Sequence, residues 1–100
     1  MLNLRAEENG KEVVIFIEGK MDTNSSPQVT EEVSRFIGSV DKIILDLENL
    51  SYISSAGLRV FVVADQEMIS NGGELVVRNV SRDIMDIFEM TGFDSMLTIV

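Results

Sequence analysis

Two adjacent hydroxyl side chains, Ser54 and Ser55, are the residues of this sequence best placed to do chemistry. The apolar run within residues 42–47 predicts a buried strand before them, and the pattern over residues 56–70 predicts a helix after them. One of the two serines is therefore expected to cap the helix. A helix N-terminus also exposes unpaired N–H groups and a partial positive charge, which favour a phosphate. The serines thus have two interpretations, a plain cap and an acceptor for phosphorylation.

The composition excludes several kinds of site. The chain of 100 residues has no cysteine and no histidine, which removes thiol chemistry, disulfides, zinc sites built on Cys or His, and histidine-dependent triads. We therefore expect no metal and no cofactor. Apolar residues make up 45% of the chain, which is enough for the core of one domain over residues 1–100.

The charge of the chain limits its partners. It is −9, from 17 acidic and 8 basic residues, and the bases form no cluster. Nucleic acids and anionic membranes are bound through Lys and Arg contacts to phosphate, so we expect neither as a partner. The apolar runs are too short to span a bilayer, and the first residues do not resemble a signal peptide. We expect a cytoplasmic protein, a monomer or weak dimer, with other proteins as possible partners.

The chain alternates strands and helices after an initial hairpin. Strands are predicted at residues 2–8 and 12–18, joined by the turn signal Asn9-Gly10, with Gly19 ending the second strand before a polar loop. Ser26 is expected to cap a first helix that stops near Gly38. Later elements are a strand at 42–47, a helix at 56–70, a strand at 74–78, a helix between Ser81 and Gly92, and a strand at 96–100. The order β-β-α-β-α-β-α-β predicts an α/β fold, with a mixed, mostly parallel sheet and helices packed against it.

Two predictions concern which apolar helix residues are buried. On the third helix, Met85 and Met90 are candidates for an exposed face suited to a partner. For the helix at 56–70, the buried face is predicted from its apolar residues: Leu58, Phe61, Val62, Met68 and Ile69, widened by Val60 and Val63.

The order of elements resembles the STAS domain, which occurs in anti-sigma-factor antagonists and at the ends of sulfate transporters. No single stretch is decisive, but four together cover nearly the whole chain in the family's order. They are Ile17-Glu18-Gly19-Lys20-Met21-Asp22, Asp46-Leu47-Glu48-Asn49-Leu50-Ser51-Tyr52-Ile53, Ser55-Ala56-Gly57-Leu58, and Gly73-Glu74-Leu75 leading to Met90-Thr91-Gly92-Phe93. The length of the chain favours the antagonist branch.

The resemblance implies a particular site. Antagonists of this family typically carry Asp-Ser-Ser/Thr-Gly in the central loop, and the first Ser accepts phosphate from a serine kinase that is also the anti-sigma factor. The acceptor position falls on Ser55 and the glycine on Gly57. The family's Asp is Ser54 in this chain, which makes Ser54 a rival acceptor, and the second hydroxyl is replaced by Ala56.

The expected function is that of an anti-sigma-factor antagonist. The unmodified protein would dock on its anti-sigma factor/serine protein kinase, phosphorylation would release it, and a phosphatase would reverse the change. Arg59, one helical turn after Ser55, either pairs with the phosphate or is a solvated surface residue. Asp22 either contacts the partner or bonds its own turn. The expected partner-binding residues are Asp22, Thr23, Asn24, Ser54, Ser55, Ala56, Gly57 and Arg59.

Other functions remain open at this point. The chain is an alternative candidate for a STAS adaptor or scaffold that works without phosphorylation. A small hydrolase is disfavoured, since Gly-x-Ser-x-Gly and histidine are both absent. A nucleotide or other anion bound at the helix start is a further option. Asp46, at a strand end, is a candidate metal or catalytic carboxylate, but we favour a role in bonding loop N–H groups.

Overall fold

Six strands form one mixed sheet in the computed structural model, which describes all 100 residues. They are β1 (Leu2–Asn9), β2 (Glu12–Met21), β3 (Lys42–Asp46), β4 (Leu50–Ile53), β5 (Glu74–Arg78) and β6 (Thr98–Ile99). The order across the sheet is β1-β2-β3-β5-β6, and β4 pairs with the last residues of β2. Only β1 and β2 are antiparallel. The predicted α/β fold with a mixed, mostly parallel sheet is confirmed.

Three helices cover one face of this sheet. They are α1 (Ser26–Ser34), α2 (Ser55–Ser70) and α3 (Arg82–Thr91), and a short 3-10 turn follows at Phe93–Ser95. Side chains from all three helices and from alternate strand positions form one cluster of 23 buried residues. Within it the rings of Phe61 and Phe88 meet edge to face, with centroids 6.5 Å apart. This arrangement gives α2 its fixed position against the sheet.

The opposite face of the sheet carries no helix. Val14, Ile44 and Val76 lie there in one row across β2, β3 and β5, because successive strand residues point to opposite faces. None of the three belongs to the main core cluster. Phe16 continues this face, and the guanidinium of Arg5 lies 4.2 Å from its ring centroid.

The prediction that Gly19 ends β2 is wrong. The strand continues to Met21, and its register shifts between Gly19 and Lys20. Gly19 has a φ of 102°, and a Cβ there would clash with the backbone oxygen of Met1. The glycine is therefore an irregularity within the strand, required by close backbone approach, and such glycines are a known alternative to a strand stop.

The strand β4 was missing from the predicted order, which placed residues 50–53 in a loop. Its outer residues Leu50 and Ile53 are buried, whereas Ser51 and Tyr52 are exposed. A strand of four residues with this burial shows no alternation of apolar and polar residues, so the period-2 signal is absent. Pairing with β2 at Gly19 and Met21 is what makes it a strand.

Several element ends also differ from the prediction, among them the end of α1, which lies at Ser34 instead of near Gly38. Ser26 lies inside α1 and is buried, while Ser25 occupies the N-cap position without a side-chain capping bond. The hydroxyl of Ser26 instead donates to the backbone oxygen of Asp22. The last strand is only Thr98–Ile99, shorter than the predicted 96–100.

The buried face of α2 is narrower than predicted. Val63 and Ile69 are 44% and 62% exposed, and Ala64 is buried in their place. The apolar surface of α2 is therefore wider than the part of the helix that packs against the core, and apolar side chains such as Val63 and Ile69 lie outside the contact. The prediction for α3 fits better at one residue: Met90 is 83% exposed, while Met85 is partly buried against the core.

One prediction follows from the only carboxylate on the buried stripe of α2. Asp65 lies one turn from both Phe61 and Met68, which are fully buried, and burial raises the pKa of Asp65 above its ordinary value of 3.8. Folding then disfavours the charged form, so stability falls as pH rises from about 3.8 through the higher folded pKa.

Asp65→Asn should therefore raise the stability at pH 7, by about 0.5 kcal/mol. It should also weaken the pH dependence in the acidic range. Chemical denaturation at several pH values measures both effects. Glu67→Gln, an exposed change on the same helix, is the control and should alter little. A loss of stability in Asp65→Asn at pH 7 would contradict the assignment.

Candidate functional site

The loop between β4 and α2 uses Ser54 as its helix cap. The backbone of Ser54 is extended, with φ −90° and ψ 171°, and its Oγ accepts the N–H of Gly57 at 3.2 Å. Its own N–H donates to the backbone oxygen of Met21 at 2.9 Å. Its backbone oxygen accepts the N–H of Leu58 at 3.0 Å. Ser54 thus makes three hydrogen bonds: two within the first turn of α2 and one to the end of β2.

Ser55, by contrast, is exposed. It is the first residue of α2, and no side-chain hydrogen bond within the protein holds its hydroxyl. It stands at the end of the helix where backbone N–H groups lack intrahelical partners and the helix dipole is positive. The structure therefore separates the two serines that the sequence left as alternatives: one hydroxyl is used for capping, and the other is available to solvent.

Gly57 allows the start of α2 to approach the end of β2. A Cβ at this position would lie 2.8 Å from Cγ1 of Ile53 and 3.2 Å from the backbone oxygen of Met21. Gly57 is buried, and Ala56 beside it is partly exposed. A larger residue at position 57 would push α2 away from the strand, so the glycine is explained by close packing.

The turn after β2 lies beside this loop, because Met21 bonds Ser54. The Oδ1 atom of Asp22 accepts the N–H groups of Ser25 at 2.9 Å and of Asn24 at 3.0 Å. These bonds, that of Ser25 foremost, hold the pKa of Asp22 below its ordinary value. Asp22 therefore has the turn role that the sequence left open, and it presents Thr23 and Asn24 as an exposed tip.

Arg59 is exposed one turn along α2 from Ser55. Five of the eight basic residues form ion pairs, with Glu or Asp within 4 Å; Arg59 is one of the three that do not. Its charge is therefore not neutralised by a neighbouring carboxylate. Geometry places it on the same side of the helix start as Ser55, since residues four apart are neighbours on a helix surface.

A shallow cavity of about 260 Å³ continues this surface between α1 and α2. Its lining is mostly apolar and consists of Ala56, Val60 and Val63 together with Thr30 and Arg59. We call this feature the α1–α2 groove. The sequence missed it, because Val60 and Val63 were predicted to be buried. The signal that was present is the excess width of the apolar arc on α2.

Asp46 holds the end of β3 to the end of β5. Its Oδ2 accepts Nε of Arg78 at 2.9 Å and Nδ2 of Asn79 at 3.0 Å, and its Oδ1 accepts the N–H of Glu48 at 3.0 Å. Burial alone would raise the pKa of Asp46, but these hydrogen bonds outweigh it and lower the pKa. The favoured role in bonding loop N–H groups agrees with the bond from Glu48, whereas the contribution of Arg78 and Asn79 was not foreseen.

The structure thus brings the predicted site residues of the central loop and of the Asp22 turn to one end of the sheet. Arg59 extends this surface along α2. Asp46 belongs to the same edge but acts as a structural clamp. No group of three or more acidic side chains is arranged to hold a metal ion. The arrangement offers an exposed hydroxyl on Ser55, a guanidinium on Arg59 without a carboxylate partner, and an apolar groove beside them.

Comparison with known proteins identifies the class. The family model of the STAS domain matches residues 3–100. The anti-sigma-B factor antagonist of Staphylococcus aureus (strain NCTC 8325 / PS 47) is 32% identical over 98 residues, covering 96% of this chain and 90% of that protein. The anti-sigma-B factor antagonist of Bacillus subtilis (strain 168) is 26% identical over 98 residues, covering 98% and 90%. The chain therefore belongs to the STAS domain family, as the resemblance implied.

Solved structures agree on the fold. The unphosphorylated form of the anti-sigma factor antagonist SpoIIAA matches with a TM-score of 0.83 at 23% identity, covering 98% of this chain and 88% of that one. An anti-sigma factor antagonist from Mycobacterium paratuberculosis matches with a TM-score of 0.87 at 16% identity, covering 99% and 85%. The chain therefore has the fold of known anti-sigma factor antagonists, and the similar proteins are named as antagonists, in agreement with the expectation that the chain is not an enzyme.

None of the three helices combines the length and the apolar character needed to cross a bilayer.

The Asp46 clamp generates a stability prediction. Asp46→Asn keeps the shape of the side chain but removes the charge that Arg78 and the N–H of Glu48 bond. We expect a loss of about 1–3 kcal/mol, because buried donors are left poorly satisfied. Since the pKa of Asp46 is lowered by folding, its stabilisation is present above the ordinary value of 3.8 and is lost as pH falls through the folded pKa.

Denaturant titration at neutral and acidic pH measures this loss. The difference between Asp46→Asn and the unmodified protein should shrink as pH falls. Glu48→Gln, at the exposed neighbouring carboxylate, is the control and should stay within about 0.5 kcal/mol of the unmodified protein. Equal stability of the two variants at pH 7 would rule out the clamp.

Proposed function

We propose that this chain is an anti-sigma-factor antagonist that docks on an anti-sigma factor which is also a serine protein kinase. Phosphorylation of Ser55 ends the docking, and a phosphatase restores it, all in the cytoplasm. One observation carries the proposal: Ser55 is exposed at the start of α2, while Ser54 performs the capping that the fold requires. Relatives named as anti-sigma factor antagonists support the class of partner.

The position of Ser55 suits a phosphate acceptor. A kinase must reach the hydroxyl, and Ser55 is exposed with no internal hydrogen bond to break. The phosphate would then lie at a helix N-terminus, where free N–H groups and the dipole favour an anion. Arg59, which has no carboxylate partner, is one turn away and available to pair with it. Ser54 is less suited, because modifying its Oγ would remove the cap bond to Gly57.

The switch would act at the surface and leave the fold intact. A phosphate adds about −1.5 to −2 charges at pH 7. Beside Ser55 lies the apolar lining of the α1–α2 groove, with Ala56 at its near end. A partner that covers this groove would have to desolvate the dianion as well, which is costly. Docking is therefore lost without any unfolding of α2.

The docking surface that we propose has two parts. One is the tip of the turn after β2, with Asp22 holding Thr23 and Asn24 in place. The other is the start of α2 with Ser54, Ser55, Ala56, Gly57 and Arg59, extended by the α1–α2 groove. The bond between Met21 and Ser54 fixes the two parts relative to each other, so a partner meets one preformed surface.

A second candidate function is an adaptor that docks through the same surface without phosphorylation. It is favoured by one feature of the loop: Ser54 and Ala56 stand where antagonists of this family typically have Asp and Ser or Thr. A kinase that requires that Asp would not recognise Ser55. The two candidates differ in one observable, the presence of phosphate on Ser55.

The serine assignment is tested with the cognate kinase, ATP and phosphopeptide mass spectrometry. The unmodified protein should carry phosphate on Ser55, and Ser55→Ala should carry none while it still docks. Ser55→Asp should weaken docking at least about tenfold, because it places a charge at the interface. Ser54→Ala is the matched control: it should still accept phosphate on Ser55 but lose about 1 kcal/mol of stability with the cap. Phosphate on neither serine would favour the adaptor, whereas phosphate on Ser54 would overturn the assignment to Ser55.

The groove is tested with two exposed apolar residues of the same helix. Val63→Glu puts a charge into the α1–α2 groove and should weaken binding of the anti-sigma factor at least about tenfold. Ile69→Glu makes the same change outside the groove and should leave binding nearly unchanged. Isothermal titration calorimetry measures both, and thermal unfolding checks that both variants fold. Equal loss in the two variants would exclude the groove from the interface.

A further inference from the structure

The outer edge of β1 has unused backbone hydrogen-bonding groups. β1 is at the end of the sheet and pairs only with β2. The two strands meet across the turn Gly10-Lys11, so Asn9 and Glu12 form the closing hydrogen-bonded pair, and every second residue of β1 repeats that bonding. The N–H of Lys20 donates to the backbone oxygen of Met1 at 3.1 Å, in the same phase. The residues with outward N–H and C=O groups are therefore Leu2, Leu4, Ala6 and Glu8.

The side chains along β1 carry a charge pattern that is complementary to itself. Arg5 and Glu7 point to the face without helices, opposite Phe16 and Val14 of β2. Their side chains are 63% and 56% exposed, and they pair with each other within the monomer. Ala6 lies between them with its backbone groups directed outward. A two-fold axis through Ala6 would therefore place Arg5 of one copy opposite Glu7 of the other.

We propose that a second copy of this chain pairs with β1 in antiparallel fashion about a two-fold axis at Ala6. Ala6 then faces Ala6 of the second copy, and Leu4 faces Glu8, in hydrogen-bonded pairs that use the free N–H and C=O groups. Arg5 of each copy faces Glu7 of the other, so two such pairs form, one on each side of the axis. These are non-hydrogen-bonded positions, where side chains of facing residues are closest. Opposite charges facing each other there stabilise the pairing.

Charge also selects this register over its neighbours. Moving the axis to Arg5 places the two Arg5 side chains opposite each other. Moving it to Glu7 does the same for two glutamates. Like charges directly opposite are destabilising, so both shifted registers are disfavoured. Moving the axis to Leu4 shortens the paired segment, because β1 begins at Leu2. The axis at Ala6 is the register that combines full overlap with opposite charges.

The dimer leaves the candidate site free. Ser54 bonds the end of β2 at Met21, which lies near the start of β1, because Leu2 faces Gly19. The two-fold axis reverses the direction of β1 in the second copy, so the two central loops lie at opposite ends of the seam. The joined sheet would present two docking surfaces, one for each partner molecule. The pairing itself does not depend on the proposed function.

Sedimentation equilibrium over a concentration series tests the dimer with charge-reversed variants. Arg5→Glu places Glu opposite Glu7, and Glu7→Arg places Arg opposite Arg5. Each variant alone should raise the dimer dissociation constant by about tenfold or more. An equimolar mixture of the two should associate, because both facing pairs are then of opposite charge. Glu89→Arg on α3 changes the net charge as Glu7→Arg does, and should dimerise as the unmodified protein does.

A backbone variant gives an independent check. Ala6→Pro removes the N–H at the centre of the seam, which has no partner in the monomer, and should abolish the dimer while circular dichroism shows a folded chain. Should Ala6→Pro not fold, the mixing experiment decides alone. A protein that stays monomeric at millimolar concentration would overturn the proposal. So would a dimer that persists in both charge variants, or a mixture of the two that fails to associate.

Discussion

The contact between the end of β2 and the start of α2 fixes the geometry of the candidate site. The backbone oxygen of Met21 accepts the N–H of Ser54, and the missing side chain of Gly57 lets the helix approach the strand. Met21 is fully buried, so this contact is part of the core. The turn at Asp22 and the helix start at Ser55 are thereby joined into one rigid surface. The proposed regulation by a change of charge at Ser55 would then require no movement of the loop.

A second constraint determines where the loop begins. Asp46 is 4% exposed, and its carboxylate is bonded from Arg78, Asn79 and the N–H of Glu48. These bonds tie the ends of β3 and β5 together and direct the chain out of β3. The following residues cross to the end of β2, where they pair as β4. A buried carboxylate is tolerated at this point because every bond that it needs is supplied locally.

Sequence patterns were sufficient for the regular elements and insufficient where tertiary contacts decide. The hairpin at Asn9-Gly10 and the alternation of strands and helices predicted the sheet, because these signals are local. β4 and the continuation of β2 through Gly19 depend on pairing with each other, which no periodicity reveals. Within the site, the order Ser54 then Ser55 allowed either serine to cap. The extended backbone at Ser54 and the bond of its Oγ to the N–H of Gly57 separate the two roles, and neither can be read from the sequence.

The departure of this chain from the family pattern at Ser54 is consistent with that division of roles. Asp and Ser are both good N-caps, since either side chain accepts an N–H of the first helical turn. A carboxylate there would offset the positive helix end and would repel a neighbouring phosphate. With the neutral Ser54 as the cap, the helix end keeps its partial charge, and Arg59 remains without a competing carboxylate. A phosphate on Ser55, as proposed, would thus meet less repulsion in this chain than in one with Asp at the cap.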